Sequence, residues 1–322
     1  MNDSSDERQQ QLLHCLVDIY KGQNITLTPV SGDASFRRYF RFYCDDLPLI
    51  AVDAPPTLEN SQPFVAVTEL LLQHQITVPK ILHASMEQGF FVLQDFGDRL
   101  LLDALSENTA DALYSVALQS LLAMQKISPQ TLPPYDSALL QREMGLFSDW
   151  FLTKHMGLVI DDNTQAMLAS TYNFLEDNAL QQPQVFVHRD YHSRNLMLLE
   201  NNTLGIIDFQ DAVHGPITYD LVSLLRDCYI AWPQGKIDQW VAQYYSCLPK
   251  DRPYDLQQFR RWFDLMGVQR HLKATGIFCR LNYRDGKPAY LNDIPRTLNY
   301  VIQVSARYDE LQSFHSFLQH LK

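Results

Sequence analysis

The sequence has few features that would suggest an oxidising compartment or a membrane. Its five cysteines are odd in number and widely spaced, with no CxxC pair, so neither a disulfide framework nor a zinc site is expected. No apolar run approaches the roughly 18 residues needed to cross a bilayer. The polar start MNDSSDERQQQ is unlike a secretory signal. These absences predict a cytoplasmic protein with no membrane partner.

Positive charge is also scarce. Lys and Arg total 26 against 37 Asp and Glu, which gives a formal net charge of −11. An acidic surface repels a phosphate backbone, so no nucleic-acid partner is expected. With 322 residues, 46% of them hydrophobic, the chain is long enough for one large domain or two lobes. The sequence does not determine the oligomeric state.

Hydrophobic periodicity predicts an α+β chain with a strand-rich part followed by a mainly helical part. Helices are expected near 4–21 and 62–75, and from 102 to 180 and from 219 onward. Short strands are expected at 25–30, 36–43, 47–52, 80–84 and 90–93, and again within 185–209. The pattern divides the chain into a first lobe at 1–97 and a second lobe at 98–322.

One polar segment separates two apolar, strand-like stretches in VFVHRDYHSRNLMLL, residues 185–199. Asp190 follows the first stretch, Asn195 precedes the second, and Asp208 follows a third short strand, LGIID. Two hairpin-linked strands would bring these oxygen-bearing side chains to one end of a sheet. A carboxylate base beside amide and carboxylate ligands suits Mg²⁺ and phosphoryl transfer from a nucleotide.

The spacing HRDYHSRN followed by IIDFQDA resembles the core of the aminoglycoside phosphotransferase and choline kinase group, relatives of the protein kinases. The resemblance implies a two-lobed protein-kinase-like fold that uses ATP and Mg²⁺. It implies Asp190 as the catalytic base and Asn195 and Asp208 as magnesium ligands. His188 would brace the loop and Asp220, in GPITYDL, would steady the second lobe.

The nucleotide-binding part departs from that pattern. VSGDASFRRYFRF, residues 30–42, contains a turn of small residues suited to phosphate binding, namely Ser31, Gly32, Asp33, Ala34 and Ser35. Kinase-like folds place a lysine on the next strand, but LPLIAVDAPP has Asp53 and no lysine. Either another cation holds the nucleotide or nucleotide binding is lost. One of the arginines at 37, 38 and 41 is predicted to replace the lysine, and Arg38 is the candidate for nucleotide binding. The protein-kinase-like motif QDFGD, residues 94–98, precedes the base and is expected to end the first lobe, with solvated or capping carboxylates.

A narrower resemblance points to the acceptor. SGDASFRRYFRF, DAPP and QRHLKATGIFCRLNYRDGKPAYLNDIPR resemble the bacterial cell-wall-recycling kinases that phosphorylate N-acetylmuramate and N-acetylglucosamine at the anomeric hydroxyl. Residues 260–296 contain eight Lys or Arg and three Asp. A helix over 262–284, stopped by Gly286, would align a basic stripe suited to a lactyl carboxylate. The stripe is alternatively a solvated helix face. Acceptor-binding candidates are Arg270, His271, Lys273 and Arg280.

Several alternatives stay open at the level of sequence. The nucleotide is ATP or GTP, and the acceptor is an amino sugar, an aminoglycoside or a choline-like amino alcohol. A catalytically inactive kinase-like binding protein would also account for the missing lysine. Protein kinase activity is disfavoured, because no activation loop ending in A-P-E follows IIDFQDA.

Overall fold

The computed structural model describes residues 3–30 and 37–321. The strands are β1 (Thr28–Pro29), β2 (Arg38–Cys44), β3 (Leu47–Asp53), β4 (Ile81–Ser85), β5 (Phe90–Gln94), β6 (Gln184–Val187), β7 (Leu196–Leu198), β8 (Leu204–Ile206) and β9 (Val213–Pro216). The α-helices are α1 (Asp3–Ile19), α2 (Gln62–Gln73), α3 (Leu101–Ala104), α4 (Ala110–Met124), α5 (Ser137–Leu146), α6 (Asp162–Leu180), α7 (Tyr219–Leu225), α8 (Gln234–Ser246), α9 (Leu256–Asp285), α10 (Ile294–Ser305) and α11 (Gln312–Gln319). A π-helical segment, Phe147–His155, continues α5.

The chain forms two compact units. The first contains Met1–Arg99 and Met197–Asp211, and the second contains Leu100–Leu196 and Ala212–Lys322. The sequence places the boundary between residues 97 and 98, close to the end of the first of these segments. It also assigns the whole β7–β8 hairpin to the second lobe, whereas the structure groups residues 197–211 with the first unit.

The first unit is built on an antiparallel five-stranded sheet in the order β1-β2-β3-β5-β4. Successive side chains of a strand point to opposite faces, and both faces of this sheet are covered. One face packs with α1 in a cluster of buried residues comprising Leu12, Leu16, Ile25, Phe40, Phe42, Leu49, Ala51, Phe90 and Val92. The other face packs with Phe64 and Val65 of α2 through Val52, Ala54, Phe91 and Leu93. This two-sided burial explains why β3 and β5 are apolar at nearly every position.

The β7–β8 hairpin is joined to the first unit by backbone bonds. Leu198 N donates to Arg99 O at 2.8 Å, and Ile206 N donates to Thr77 O at 2.9 Å. A Cβ at residue 205 would lie 2.4 Å from the Phe96 ring, so only glycine fits there. Phe96 of QDFGD therefore packs against the strand that leads to Asp208.

The second unit is mainly helical and is organised around α9, a helix of 30 residues. The Asp255 carboxylate accepts a hydrogen bond from Gln258 N and caps its start. Gly286, in a left-handed conformation, ends it. Helices α5, α6, α7 and α10 contact α9, and its middle is buried on all sides, as expected for a core helix. The predicted Gly286 stop is confirmed, and the helix begins six residues before the predicted start at 262.

The α+β class is confirmed by this division between an antiparallel sheet and a helical unit. All five cysteines are free thiols, as expected. Across residues 3–30 and 37–321, none of the helices combines the length and apolar character that crossing a membrane requires.

Candidate active site

The segment 188–195 forms a compact loop between β6 and β7. His192 N donates to Asp190 O at 3.0 Å, and Asn195 N donates to His192 O at 2.9 Å. Asn195 Nδ2 donates back to Asp190 O at 3.0 Å. Arg189 has a positive φ of 76°, a conformation that is costly for a residue with a side chain and that is found most often at functional sites. The loop therefore folds around the main chain of Asp190.

Asp220 holds the start of the loop. Its Oδ2 accepts a hydrogen bond from His188 N at 2.7 Å, and its Oδ1 accepts one from Arg189 N at 3.0 Å. Burial raises the pKa of Asp220 to about 6, although the charge of His188 and the two backbone hydrogen bonds act against it. His188 is buried, and its Nδ1 accepts a hydrogen bond from Asp190 N at 3.2 Å. The structure places both residues at the start of the loop, and their structural roles stay predictions.

A second buried aspartate, Asp227, holds the other end of the loop. Its Oδ2 accepts hydrogen bonds from Ser193 N at 2.9 Å and from Ser193 Oγ at 2.5 Å, while its Oδ1 accepts one from Tyr229 N at 3.0 Å. Both backbone anchors are carboxylates from α7 or the turn that follows it. The position of Asp190 is therefore determined from both sides.

The electrostatic surroundings of Asp190 favour its ionised form. Burial raises its pKa, but the positive charges of Lys273, Arg270 and Arg189 outweigh this and lower it to about 2. Burial also lowers the pKa of His192 to about 4, so that its imidazole is neutral at pH 7. A permanently ionised carboxylate beside a neutral histidine is suited to accepting a hydrogen bond from a hydroxyl group.

Glu143 of α5 forms ion pairs with two cations near the loop. Its Oε1 accepts a hydrogen bond from Arg189 and lies 3.0 Å from Lys273 Nζ, and its Oε2 accepts one from Tyr135. Burial raises the pKa of Glu143, but Lys273 and Arg189 outweigh it and lower the pKa. Lys273 also donates to the Tyr219 hydroxyl at 3.0 Å. The left-handed residue that precedes Asp190 is thus tied to α5.

The predicted acceptor-binding residues of α9 have different surroundings. Lys273 joins the Glu143 cluster, and His271 Nε2 bonds to Arg226 O at 2.8 Å while its ring stacks on Tyr300 at 5.0 Å. Arg270 is only 5% exposed, and its charge acts on Asp190. Arg280 is half-buried two to three turns further along the helix. Of the four, Lys273 and Arg270 act electrostatically on Asp190.

Asp208 belongs to the first unit. It has a positive φ of 64°, and its Oδ1 accepts a hydrogen bond from Gln210 Nε2 at 2.8 Å. The next residue, Phe209, stacks on Phe64 of α2 with ring centroids 5.7 Å apart. Asp208 is thus held in a strained backbone turn at the end of the β7–β8 hairpin. That Asp208 shares an ion with Asn195 stays a prediction.

The predicted phosphate loop, Ser31–Ser35, lies outside the described residues. Arg38 begins β2 directly after that segment, opposite Asp53 of β3 in the sheet register. Asp53 Oδ2 accepts hydrogen bonds from Arg38 at 2.6 and 3.0 Å, and its Oδ1 accepts one from Arg8 Nε of α1 at 2.8 Å. The carboxylate at the position without a lysine therefore binds two arginines.

The other two arginines of β2 and its approach are engaged elsewhere. Arg41 pairs with Asp95 and Asp98 of QDFGD, and these hydrogen bonds raise its pKa. Arg37 lies 3.6 Å from a Glu59 carboxylate oxygen. The expectation of solvated or capping carboxylates in QDFGD holds for Asp98, which is 76% exposed. Asp95 does accept a backbone hydrogen bond from Gly97, but it is buried and ion-paired rather than solvated.

Sequence reasoning missed four residues of this architecture: Glu143, His192, Asp227 and Arg8. His192 lies inside the recognised loop motif, and Asp227 follows Asp220 by seven residues, just after the end of α7, so both had a local signal. Glu143 and Arg8 lie 46 and 45 residues from Arg189 and Asp53, their respective partners. No local pattern identifies contacts over such separations.

Comparisons with known proteins identify the family of the chain. The model of a phosphotransferase enzyme family matches residues 26–262. The chain belongs to this family. It is similar to an N-acetylmuramate/N-acetylglucosamine kinase of Pseudomonas aeruginosa, with 43% identity over 99% of this chain and 98% of the relative. A protein of the same name from Neisseria meningitidis is 41% identical over 98% of this chain and 96% of the relative.

Solved structures show the same fold at low identity. An ethanolamine kinase of Plasmodium vivax matches with a TM-score of 0.68 at 11% identity, covering 90% of this chain and 86% of the other. The aminoglycoside phosphotransferase APH(2'')-Ib with bound ADP matches with a TM-score of 0.62 at 16% identity, covering 90% and 97%. The predicted protein-kinase-like phosphotransferase fold is thereby confirmed.

Proposed function

We propose that this chain is an ATP-dependent kinase that phosphorylates the anomeric hydroxyl of N-acetylmuramate and N-acetylglucosamine in the cytoplasm, in cell-wall recycling. Two relatives at 41% and 43% identity, matched over almost their whole length, carry that acceptor pair in their names. The observation that carries the chemistry is the ionised Asp190 in a loop held by Asp220 and Asp227.

Asp190 would act as the catalytic base. At neutral pH its carboxylate is ionised, so it orients the acceptor hydroxyl and accepts its proton as the oxygen bonds to phosphorus. A base with a pKa of about 2 is weak, which suits phosphoryl transfer because proton transfer lags behind P–O bond cleavage in a loose transition state. The proton moves to an Asp190 oxygen, the phosphoryl group moves to the sugar oxygen, and ADP leaves.

The donor set fits a magnesium ion. Asn195 donates to Asp190 O through its amide nitrogen. Its amide oxygen is therefore the atom that would bind a cation. Asp208 adds a carboxylate, and hard oxygen ligands completed by water and substrate phosphates are typical of Mg²⁺. When bound by Asn195 and Asp208, the ion would neutralise negative charge on the β- and γ-phosphates.

Arg38, with the segment Ser31–Ser35, would bind the nucleotide phosphates. Asp53 fixes the Arg38 guanidinium through two hydrogen bonds. In this proposal Arg38 takes the place of the strand lysine that is usual in kinase-like folds, and Asp53 takes the place of the helix glutamate that orients it. An arginine offers two parallel donors to a phosphate, which a lysine does not.

An acceptor panel tests the proposal directly. Purified protein with Mg·ATP is offered N-acetylmuramate, N-acetylglucosamine, kanamycin and choline, and ADP release is measured. We expect turnover with the two amino sugars. The products should be sugar 1-phosphates, which have no reducing end and are identified by ³¹P NMR. Turnover with kanamycin or choline alone would contradict the proposal, and absence of any turnover together with absent Mg·ATP binding would favour an inactive binding protein.

Asp190→Asn tests the assignment of the base. We expect kcat to fall about 10²- to 10⁴-fold, because a positioned general base contributes that much, with ATP affinity in equilibrium titration unchanged. Asp162→Asn, in the exposed first turn of α6, is the matched control and should retain full activity. Undiminished kcat in the Asp190 variant would exclude this role.

A further inference from the structure

Arg270 is a buried cation with incomplete contacts. Its side chain is 5% exposed, and its only protein hydrogen bond within the described residues is a 3.7 Å contact from a terminal nitrogen to Cys228 Sγ. Its Nε is buried with no partner in the part of the chain that the structure describes. A guanidinium removed from water is strongly destabilised unless an anion faces it.

The other cations near Asp190 have protein counter-ions. Arg189 and Lys273 share the Glu143 carboxylate. For Arg270 no carboxylate oxygen of residues 3–30 and 37–321 lies within ion-pair distance. Its charge acts on Asp190 and Asp227 at longer range. Among the described residues, Arg270 is therefore the cation of this cluster that has no carboxylate within ion-pair distance.

The two proposed acceptors differ in one relevant respect. N-acetylmuramate carries a lactyl carboxylate, and N-acetylglucosamine has a hydroxyl in its place. Resting on the proposed function, we infer that Arg270 binds the carboxylate of the acidic amino sugar and so determines the preference between the two acceptors. An arginine–carboxylate contact is charge-assisted and bidentate, the strongest recognition available to a ligand of this kind.

The loop and the turn after α7 also present aromatic and polar side chains that suit a sugar. His192 packs edge-on against Tyr229 with ring centroids 5.2 Å apart, and the Arg194 guanidinium lies 4.6 Å from the Tyr229 ring centroid. His192 Nδ1 is a buried atom without a partner among the described residues. A polyol offers both donors and acceptors, so the same acceptor that reaches Arg270 can satisfy this nitrogen.

Kinetics with the matched acceptor pair test the inference. For Arg270→Gln, the ratio of kcat/KM for N-acetylmuramate to kcat/KM for N-acetylglucosamine should fall about 10- to 100-fold, the value of a hydrogen bond to a charged group. Any effect of Arg270 on Asp190 acts on both acceptors and cancels in their ratio. Arg284→Gln, on the same helix and paired with exposed Asp285, is the control and should leave the ratio unchanged.

A second measurement needs no variant. With the unaltered protein, the carboxamide of N-acetylmuramate should be a poorer acceptor than the acid by the same 10- to 100-fold, and Arg270→Gln should show no preference between them. Equal loss on both natural acceptors, or a carboxamide as good as the acid, would overturn the inference. If the unaltered protein phosphorylates neither sugar, the proposed function itself fails, which is a distinct result.

Discussion

In the first unit Asp53 forms ion pairs with Arg8 and Arg38, whose side chains are 27% and 29% exposed. In the second unit Glu143 forms ion pairs with Arg189 and Lys273, whose side chains are 18% and 9% exposed. Both carboxylates are buried and both bind two cations, but only the first pair retains substantial contact with solvent. The first arrangement keeps positive charge available at the surface, whereas the second uses it to fix the loop that carries Asp190.

The difference fits the proposed roles of the two regions, which are nucleotide binding for the first and positioning of Asp190 for the second. Nucleotide phosphates bring several negative charges, so guanidinium groups must be oriented without being removed from solvent. A catalytic loop with a left-handed residue requires contacts that outweigh its strain, and Glu143, Asp220 and Asp227 provide them. The comparison predicts that substitutions around Glu143 affect stability most, and substitutions around Asp53 affect nucleotide binding most.

The largest effect is expected for Glu143→Gln. This change leaves Arg189 and Lys273 buried without a counter-charge, and breaking such a cluster costs about 3–5 kcal/mol. Glu310→Gln removes a carboxylate that is 46% exposed and pairs with Arg261, so about 0–1 kcal/mol is expected there. Urea unfolding measures both free energies.

An equal, small loss of unfolding free energy in the two Glu→Gln variants would contradict the view that the Glu143 cluster holds the loop. The kinetic constants give an independent check. Because Arg189 precedes the base, kcat should fall in Glu143→Gln and stay unchanged in Glu310→Gln, with KM for ATP unaltered in both.

Local sequence signals predicted the elements of the first unit closely. Alternation in β2, β3 and β5 and the apolar face of α2 required only neighbouring residues, and the observed bounds differ from the predicted ones by one or two residues for β2, β3, β4, β5 and α2. The first strand is much shorter than predicted, Thr28–Pro29, and only β2 pairs with it. A strand at a sheet edge has few partners to extend it.

Non-local electrostatics were not predictable in the same way. The basic stripe of α9 suggested a set of equivalent cations, yet burial separates them. Lys273 is neutralised by Glu143, Arg284 pairs with its neighbour Asp285, and Arg270 has no such partner in the described chain. Which cation is paired depends on contacts between α5 and α9, and those depend on the tertiary fold. The loop motif itself was readable because its spacing is local.

An intermediate effect is expected from Asp220, whose titration opposes folding. Its pKa rises from 3.8 to about 6 in the folded protein, so between about pH 4 and pH 6 the folded state holds a proton that the unfolded state has released. Stability then falls as pH rises through this window, by about 2 kcal/mol.

Asp220→Asn removes that titration. The unfolding free energy of the variant minus that of the unaltered protein should increase by about 2 kcal/mol between pH 4 and pH 6, as measured by urea unfolding across the range. Contributions from titratable groups that do not interact with Asp220 cancel in this difference. A difference that does not depend on pH would show that Asp220 keeps its ordinary pKa in the folded state.

The smallest effect separates the two arginines that share Asp53. Arg38 directly follows the predicted phosphate loop, whereas Arg8 comes from α1 and also donates to Gln88 O at 2.8 Å, a contact that ties the helix to the sheet. Arg38→Ala should therefore raise KM for ATP about tenfold, equivalent to about 1.4 kcal/mol. Arg8→Ala should lower the unfolding free energy and leave KM for ATP within about twofold, because the contact it loses is structural. Equal increases in KM would mean that both arginines bind the nucleotide, and unchanged KM in both would place the phosphate-binding cation elsewhere.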